Sequence, residues 1–93
     1  PGFQSICDAI ITPQPGQLTF PINLKTLSGG IVVEDNEVKS SIKILAEHLK
    51  IVVEPGGAVA ATAALTKKID LKNKTVVVMI SGGNIDLDRF SNL

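Results

Sequence analysis

The sequence predicts an α/β domain in which parallel strands are covered by helices. Three observations carry that prediction. Thr75-Val76-Val77-Val78-Met79-Ile80 is continuously apolar, the pattern of a parallel strand buried on both faces. Ala58 to Leu65 is almost all small and apolar with no polar face, so it reads as a helix buried on most sides. Val38 to Leu49 carries one apolar stripe and one wet face, the mark of a helix lying on a core. A buried helix beside a buried parallel strand places helices on both faces of a sheet. Only about three strand candidates are present, too few for such a sheet to stand alone. The chain opens Pro1-Gly2-Phe3 and its only methionine is Met79. The expectation is that residues 1–93 are a fragment of one α/β domain whose N-terminal part is missing.

Taken in order, Pro1 to Gly16 is loop-like at both ends, and Ile6 with Ala9-Ile10-Ile11 forms a short buried strand or turn between them. Pro13-Gln14-Pro15-Gly16 breaks regular structure, because proline removes donors and glycine opens special backbone angles. Gln17 to Leu27 predicts a short helix, with Leu18, Ile22 and Leu27 as an imperfect stripe and Pro21 in the first turn, where proline is tolerated. Ser28-Gly29-Gly30 is expected to end it in the usual glycine manner. Ile31-Val32-Val33 is a β-branched strand candidate. The acids of Glu34-Asp35-Asn36-Glu37 suit a helix start. Val38, Ile42, Leu45 and Leu49, spaced 4, 3 and 4 apart, then make one helical face. Ile51-Val52-Val53 is apolar but too short to classify by period. Glu54-Pro55-Gly56-Gly57 leads into the alanine-rich helix, with Lys67 and Lys68 at its carboxyl end. Lys72-Asn73-Lys74 turns into the 75–80 strand, Ser81-Gly82-Gly83-Asn84 ends that strand, and Ile85 to Leu93 is a weakly patterned tail.

Composition excludes several functions. The 93 residues carry 9 basic and 9 acidic side chains, a balance that lacks the basic footprint nucleic acid needs and that an anionic membrane surface also needs. There is no Trp or Tyr, and only Phe3, Phe20 and Phe90, so no aromatic platform for stacked bases exists. No long apolar span or signal-peptide pattern is present. The lone Cys7 suits a reducing compartment, and the chain reads as cytoplasmic. One His and one Cys do not make a metal site.

Three segments carry candidate chemistry. Ser81-Gly82-Gly83-Asn84 places a hydroxyl and two side-chain-free residues beyond the carboxyl end of a strand, where ligands of open α/β sheets bind; a plain turn is the structural alternative. In Glu54-Pro55-Gly56-Gly57-Ala58, local rules make the carboxylate a helix cap with Pro55 at the first helical position; the other reading sets it beside a ligand. Thr12 offers a hydroxyl to a bound carboxylate or braces the turn at residues 13–16. His48 reads as a solvated residue at a helix end, and Cys7 as a packing residue with no identifiable base.

As an ordered set, these segments resemble one family. Glu54-Pro55-Gly56-Gly57-Ala58 before an alanine-rich helix, then an apolar strand into Ser81-Gly82-Gly83-Asn84-Ile85-Asp86, resembles the C-terminal part of threonine/serine dehydratases. These are pyridoxal 5'-phosphate (PLP) enzymes of the tryptophan-synthase β-subunit fold, a group that includes serine racemase. Ser5-Ile6-Cys7-Asp8-Ala9, Leu18-Thr19-Phe20-Pro21 and Gly30-Ile31-Val32-Val33 fit the same family in the same order. The resemblance implies the C-terminal portion of the large PLP-binding domain. It implies that Ser81 faces the pyridine nitrogen of PLP, that Gly82 and Gly83 pass close to the ring, that Glu54 stands near the cofactor and that Thr12 stands near the substrate carboxylate. A neutral hydroxyl leaves the nitrogen largely unprotonated, which favours loss of a β-hydroxyl over transamination; a carboxylate there would make the ring a stronger electron sink.

The family's Schiff-base lysine belongs to an N-terminal Ser-Phe-Lys-type motif. Lys25, Lys39, Lys43, Lys50, Lys67, Lys68, Lys72 and Lys74 all lie outside such a context, so no catalytic residue is assigned in the chain and it is expected to be inactive by itself. The parent activity implied is α,β-elimination of a small hydroxyamino acid, threonine or serine, to a 2-oxo acid and ammonia, by a homo-oligomer. Alternatives are an amino-acid racemase or a hydroxyaspartate or hydroxyectoine-pathway dehydratase of the same fold, a non-catalytic phosphate- or nucleotide-binding module at Gly82-Gly83, and a partly folded chain that associates through the 58–65 helix and 75–80 strand.

Overall fold

The fold is a computed structural model that describes residues 4–93; the loop expected at residues 1–3 lies outside them. A 3₁₀ turn at Asp8–Ile10 is followed by helices α1 (Thr19–Thr26), α2 (Asp35–Ile44), α3 (Pro55–Leu65) and α4 (Leu87–Ser91), with a wide π turn at Leu45–Leu49 extending α2.

The core is the contact between α2 and α3. Val38, Ile42 and Leu45 face Val53, Ala58 and Ala61, and Cys7 closes one end. Small residues on α3 let the two helices approach closely, and the buried Thr62 hydroxyl donates to Ala58 O at 2.8 Å, so no polar group is stranded. Lys68, just past α3, pairs with Glu37 in the first turn of α2 at 3.2 Å, so the helices run antiparallel. α2 starts as its acids predict: the Glu34 N–H donates to the Glu37 carboxylate at 2.8 Å, the return half of a capping box.

Ala9-Ile10-Ile11, expected to be buried, is exposed in and after the 3₁₀ turn, with Ile10 at 54%, and four further expectations need correction. The first concerns the sheet. Among the described residues no paired strand forms. The runs 31–33, 51–53 and 75–80 carry no ladder of backbone hydrogen bonds between them, and such a ladder is what makes a sheet. Second, Thr75–Ile80 is not covered on two faces: Val77 is 91% and Met79 73% exposed, because no element of the chain lies over them. Third, α3 is buried toward α2, with its first turn also against the 3₁₀ turn and Gly82, and not on its remaining side. Its other side, with Val59, Ala60, Ala63 and Ala64, opens into a cleft of about 470 Å³ shared with Ile31, Val33 and residues 76–79. Fourth, α1 does not end on glycine: the Leu27 N–H closes onto Asn23 O at 3.0 Å, Leu27 turns extended, and no described glycine has a positive φ.

The tail is better ordered than its pattern suggests. Phe90 and Leu93 pack against the core, and the Arg89 guanidinium donates to Ile6 O at 2.7 Å and to the Asp8 carboxylate at 3.2 Å. Among the described residues no helix is long and apolar enough to cross a membrane.

Candidate functional site

The residues singled out at 54 and at 81–83, far apart in the chain, meet where the segment entering α3 crosses the segment leaving the 75–80 run. Pro55 opens α3, as a first-turn proline should, and leaves Glu54 extended at φ −73°, ψ 158°. In that conformation the Glu54 N–H donates to Gly82 O at 3.1 Å, while the Glu54 carbonyl accepts the Gly57 and Ala58 N–H groups at 3.0 and 3.1 Å. Glu54 therefore caps with its backbone only. Its side chain makes no capping bond, against the cap expectation, because the carboxylate lies over Gly82. A Cβ built on Gly82 would stand 2.5 Å from Glu54 Oε1.

Gly83 is seated as tightly, since a Cβ there would collide with Val52 O. Ser81 is exposed, so it is not consumed by packing, and a free hydroxyl can both donate and accept. Glu54, Ser81, Gly82 and Gly83 thus share one crossing. Thr12 does not take part in it by any described contact. It is exposed and follows the 3₁₀ turn, which does reach α3: a Cβ on Gly56 would lie 3.6 Å from the side chains of both Ala9 and Ile10.

A hydrogen-bonded brace holds that turn from the far side. Ser5 Oγ donates to Asp35 Oδ1 at 2.7 Å and the Ile6 N–H to Asp35 Oδ2 at 3.1 Å, while the Cys7 N–H donates to Ser5 Oγ at 3.0 Å. The Ser5 hydroxyl, then the Ile6 N–H, hold the Asp35 carboxyl below its ordinary range. Burial pushes the Cys7 thiol up, which suits packing and not nucleophilic attack. His48 is exposed. No group of His, Cys, Asp and Glu among the described residues is arranged to hold a metal.

Sequence reasoning missed Asp35, Arg89 and Gly57. Asp35 and Arg89 gave no signal, because their partners are 29 to 83 residues distant. Gly57 did: glycine inside a helical turn costs stability, so its presence there asks for a packing reason.

The donor set fits one part of PLP. A side-chain-free stretch at Gly82-Gly83 admits a flat ring to the backbone, and the Ser81 hydroxyl suits an aromatic nitrogen. No described lysine lies at this crossing to meet an aldehyde, so the fit covers the nitrogen side of the ring.

Residues 1–82 match the family described as pyridoxal-phosphate dependent enzymes. The chain is 37% identical over 92 residues to the L-threonine ammonia-lyase of Thermotoga maritima, covering 99% of this chain and 23% of that protein. It is 37% identical over 89 residues to the serine racemase of Schizosaccharomyces pombe, covering 96% of this chain and 28% of that protein. Among solved structures, the serine racemase of Dictyostelium discoideum superposes with a TM-score of 0.82 at 37% identity, over 94% of this chain and 29% of that one. The chain spans about a quarter of the length of the curated relatives it matches, and its four helices share the fold of the corresponding part of serine racemase. With a family match over most of its residues, the chain belongs to the pyridoxal-phosphate dependent enzymes.

Proposed function

We propose that the chain is the C-terminal portion of the large PLP-binding domain of a hydroxyamino-acid ammonia-lyase of the threonine/serine dehydratase type. The observation that carries this reading is the crossing at Glu54 and Ser81–Gly83, which offers the ring nitrogen a neutral hydroxyl and no carboxylate of its own strand. PLP, when bound, supplies an electron sink for the bond broken at the α-carbon of an amino acid. The Ser81 hydroxyl would donate a hydrogen bond to the pyridine nitrogen while keeping its proton, so that nitrogen would stay largely unprotonated. Gly82 and Gly83 let the ring lie against the backbone. Glu54, whose carboxylate lies over Gly82, would stand near the cofactor. Thr12 would donate its hydroxyl proton in a hydrogen bond to the substrate carboxylate. The Schiff-base lysine would be supplied by polypeptide outside these 93 residues, so the chain alone would not turn over substrate. The working enzyme is a homo-oligomer in the cytoplasm, where the single thiol of Cys7 stays reduced.

A second reading, amino-acid racemase, is favoured by the relatives themselves, since serine racemases match as well as ammonia-lyases do. Both reactions begin with removal of the α-proton, and the residues described above serve either. The test expresses the complete reading frame that carries this chain and supplies L-threonine and L-serine. A 2-oxo acid with equimolar ammonia is expected; D-amino acid as the exclusive product would remove the ammonia-lyase reading. Ser81→Asp is expected to lower elimination by about tenfold or more, with transamination products rising, because a carboxylate holds the ring nitrogen protonated.

A further inference from the structure

Gly57 sits in the first turn of α3 with ordinary helical neighbours and no positive φ, so the backbone does not require glycine there. The space does. A Cβ on Gly57 would stand 2.6 Å from Gly82 O, 3.0 Å from Gly82 N and 3.3 Å from Val53 Cγ1. Two of these three atoms are backbone and cannot swing aside. The adjacent Gly56 is different: its Cβ would meet only the Ala9 and Ile10 side chains, at 3.6 Å or more, an ordinary contact. α3 therefore rests on the Gly82 peptide through one missing methyl group. That same peptide accepts the Glu54 N–H and follows Ser81 directly.

We propose that Gly57 is a positioning residue for the cofactor ring: by seating α3 on the Gly82 peptide it sets where the Ser81 hydroxyl and the Glu54 carboxylate stand. This rests on the reading of Ser81 given above. Restoring ordinary contact from 2.6 Å requires an opening of about 0.8 Å, and a displacement of about 1 Å at a reacting group can cost about 100-fold in rate.

The experiment uses the PLP-loaded full-length enzyme carrying these residues, with Gly57→Ala, Gly56→Ala, Ser81→Ala and, as a destabilised control away from the crossing, Ala61→Gly. Gly57→Ala is expected to shift the absorption and emission of the bound cofactor and to lower kcat by about 10- to 100-fold, with KM changed by less than about threefold. Gly56→Ala and Ala61→Gly are expected to keep the wild-type spectrum. A Gly57→Ala enzyme with unaltered spectrum and kcat, or an Ala61→Gly enzyme that reproduces the shift, overturns the proposal. If Ser81→Ala leaves the spectrum unmoved, the reading of Ser81 falls and the proposal with it; if Ser81→Ala moves the spectrum and Gly57→Ala does not, the proposal falls alone. Hydrogen exchange on the wild-type protein needs no folded variant. The Glu54 amide is expected to exchange as slowly as amides inside α3, and exchange at the rate of an open loop overturns the close seating.

Discussion

Asp35 shows how one side chain ties distant parts of the molecule. Its two oxygens take the Ser5 hydroxyl and the Ile6 N–H, fixing the segment before the 3₁₀ turn to the start of α2. Both partners prefer the ionised carboxylate, so the folded state lowers the pKa from its ordinary 3.8. A lowered folded pKa means the contribution is fully present above pH 3.8 and is lost as pH falls through the lower folded value. Urea unfolding of wild type and Asp35→Asn from pH 7 down to pH 2 should give a stability difference that is constant in the upper range and shrinks below about pH 4. A difference that does not change with pH would show that the brace carries no charge-dependent stability. Glu54 gives the opposite lesson about reading single residues. Pro55 correctly marked the helix start, but local rules assigned the carboxylate to capping, and only the arrival of Gly82 from 28 residues away gives it another place. Ser81, Gly82 and Glu54 were legible as separate signals; their convergence is a tertiary fact. Thr12 gained no partner by which its role could be read.

At the scale of elements, α2 was the most legible, and its limits are informative. Val38, Ile42 and Leu45 form the buried stripe, as their spacing predicts. Leu49 does not join them and is 60% exposed. The widened turn from Leu45 to Leu49 advances each residue by less than an α-helical step, so the last member of the stripe rotates off the core. Ile42→Ala, at a site 1% exposed between α2 and α3, should destabilise by about 2–5 kcal/mol, whereas Leu49→Ala should stay within about 0.5 kcal/mol. Equal losses at the two sites by chemical denaturation would place Leu49 back on the stripe. α4 was illegible for a related reason: five residues are too few for a periodicity. What orders them is the seating of Phe90 and Leu93 and the reach of Arg89 to Ile6, none of which has a local sequence signal.

For the whole molecule, the 75–80 run has the pattern of a strand covered on both faces, with too few partner strands expected in the chain to cover it, and the 93 residues leave Val77 91% and Met79 73% exposed. Hydrophobic pattern reports what a residue's surroundings should be, not whether the same stretch of chain supplies them. The accessible surface is 7270 Å², against about 5,200 Å² for a folded monomer of this mass, and the radius of gyration is 14.3 Å, against about 12 Å. The surplus of about 2,000 Å² exceeds the roughly 800 Å² that each partner contributes to a standard protein interface. It is concentrated where α1 buries none of its residues and where residues 76–79 and the outer side of α3 face the open cleft. A net charge of zero provides no repulsion to keep copies apart. The isolated 93-residue chain should therefore associate with rising concentration and bind an apolar dye such as ANS. Val77→Lys, at a position 91% exposed with nothing to clash against, should weaken that association while leaving helix content unchanged, because the charge lies outside the α2–α3 core. Sedimentation of the wild-type chain as a monodisperse monomer at high concentration, with no dye bound, would mean that the cleft closes within one copy. In that case α3 and the 75–80 run would have to pack against each other directly, and Val77→Lys would then lower the unfolding free energy of the monomer.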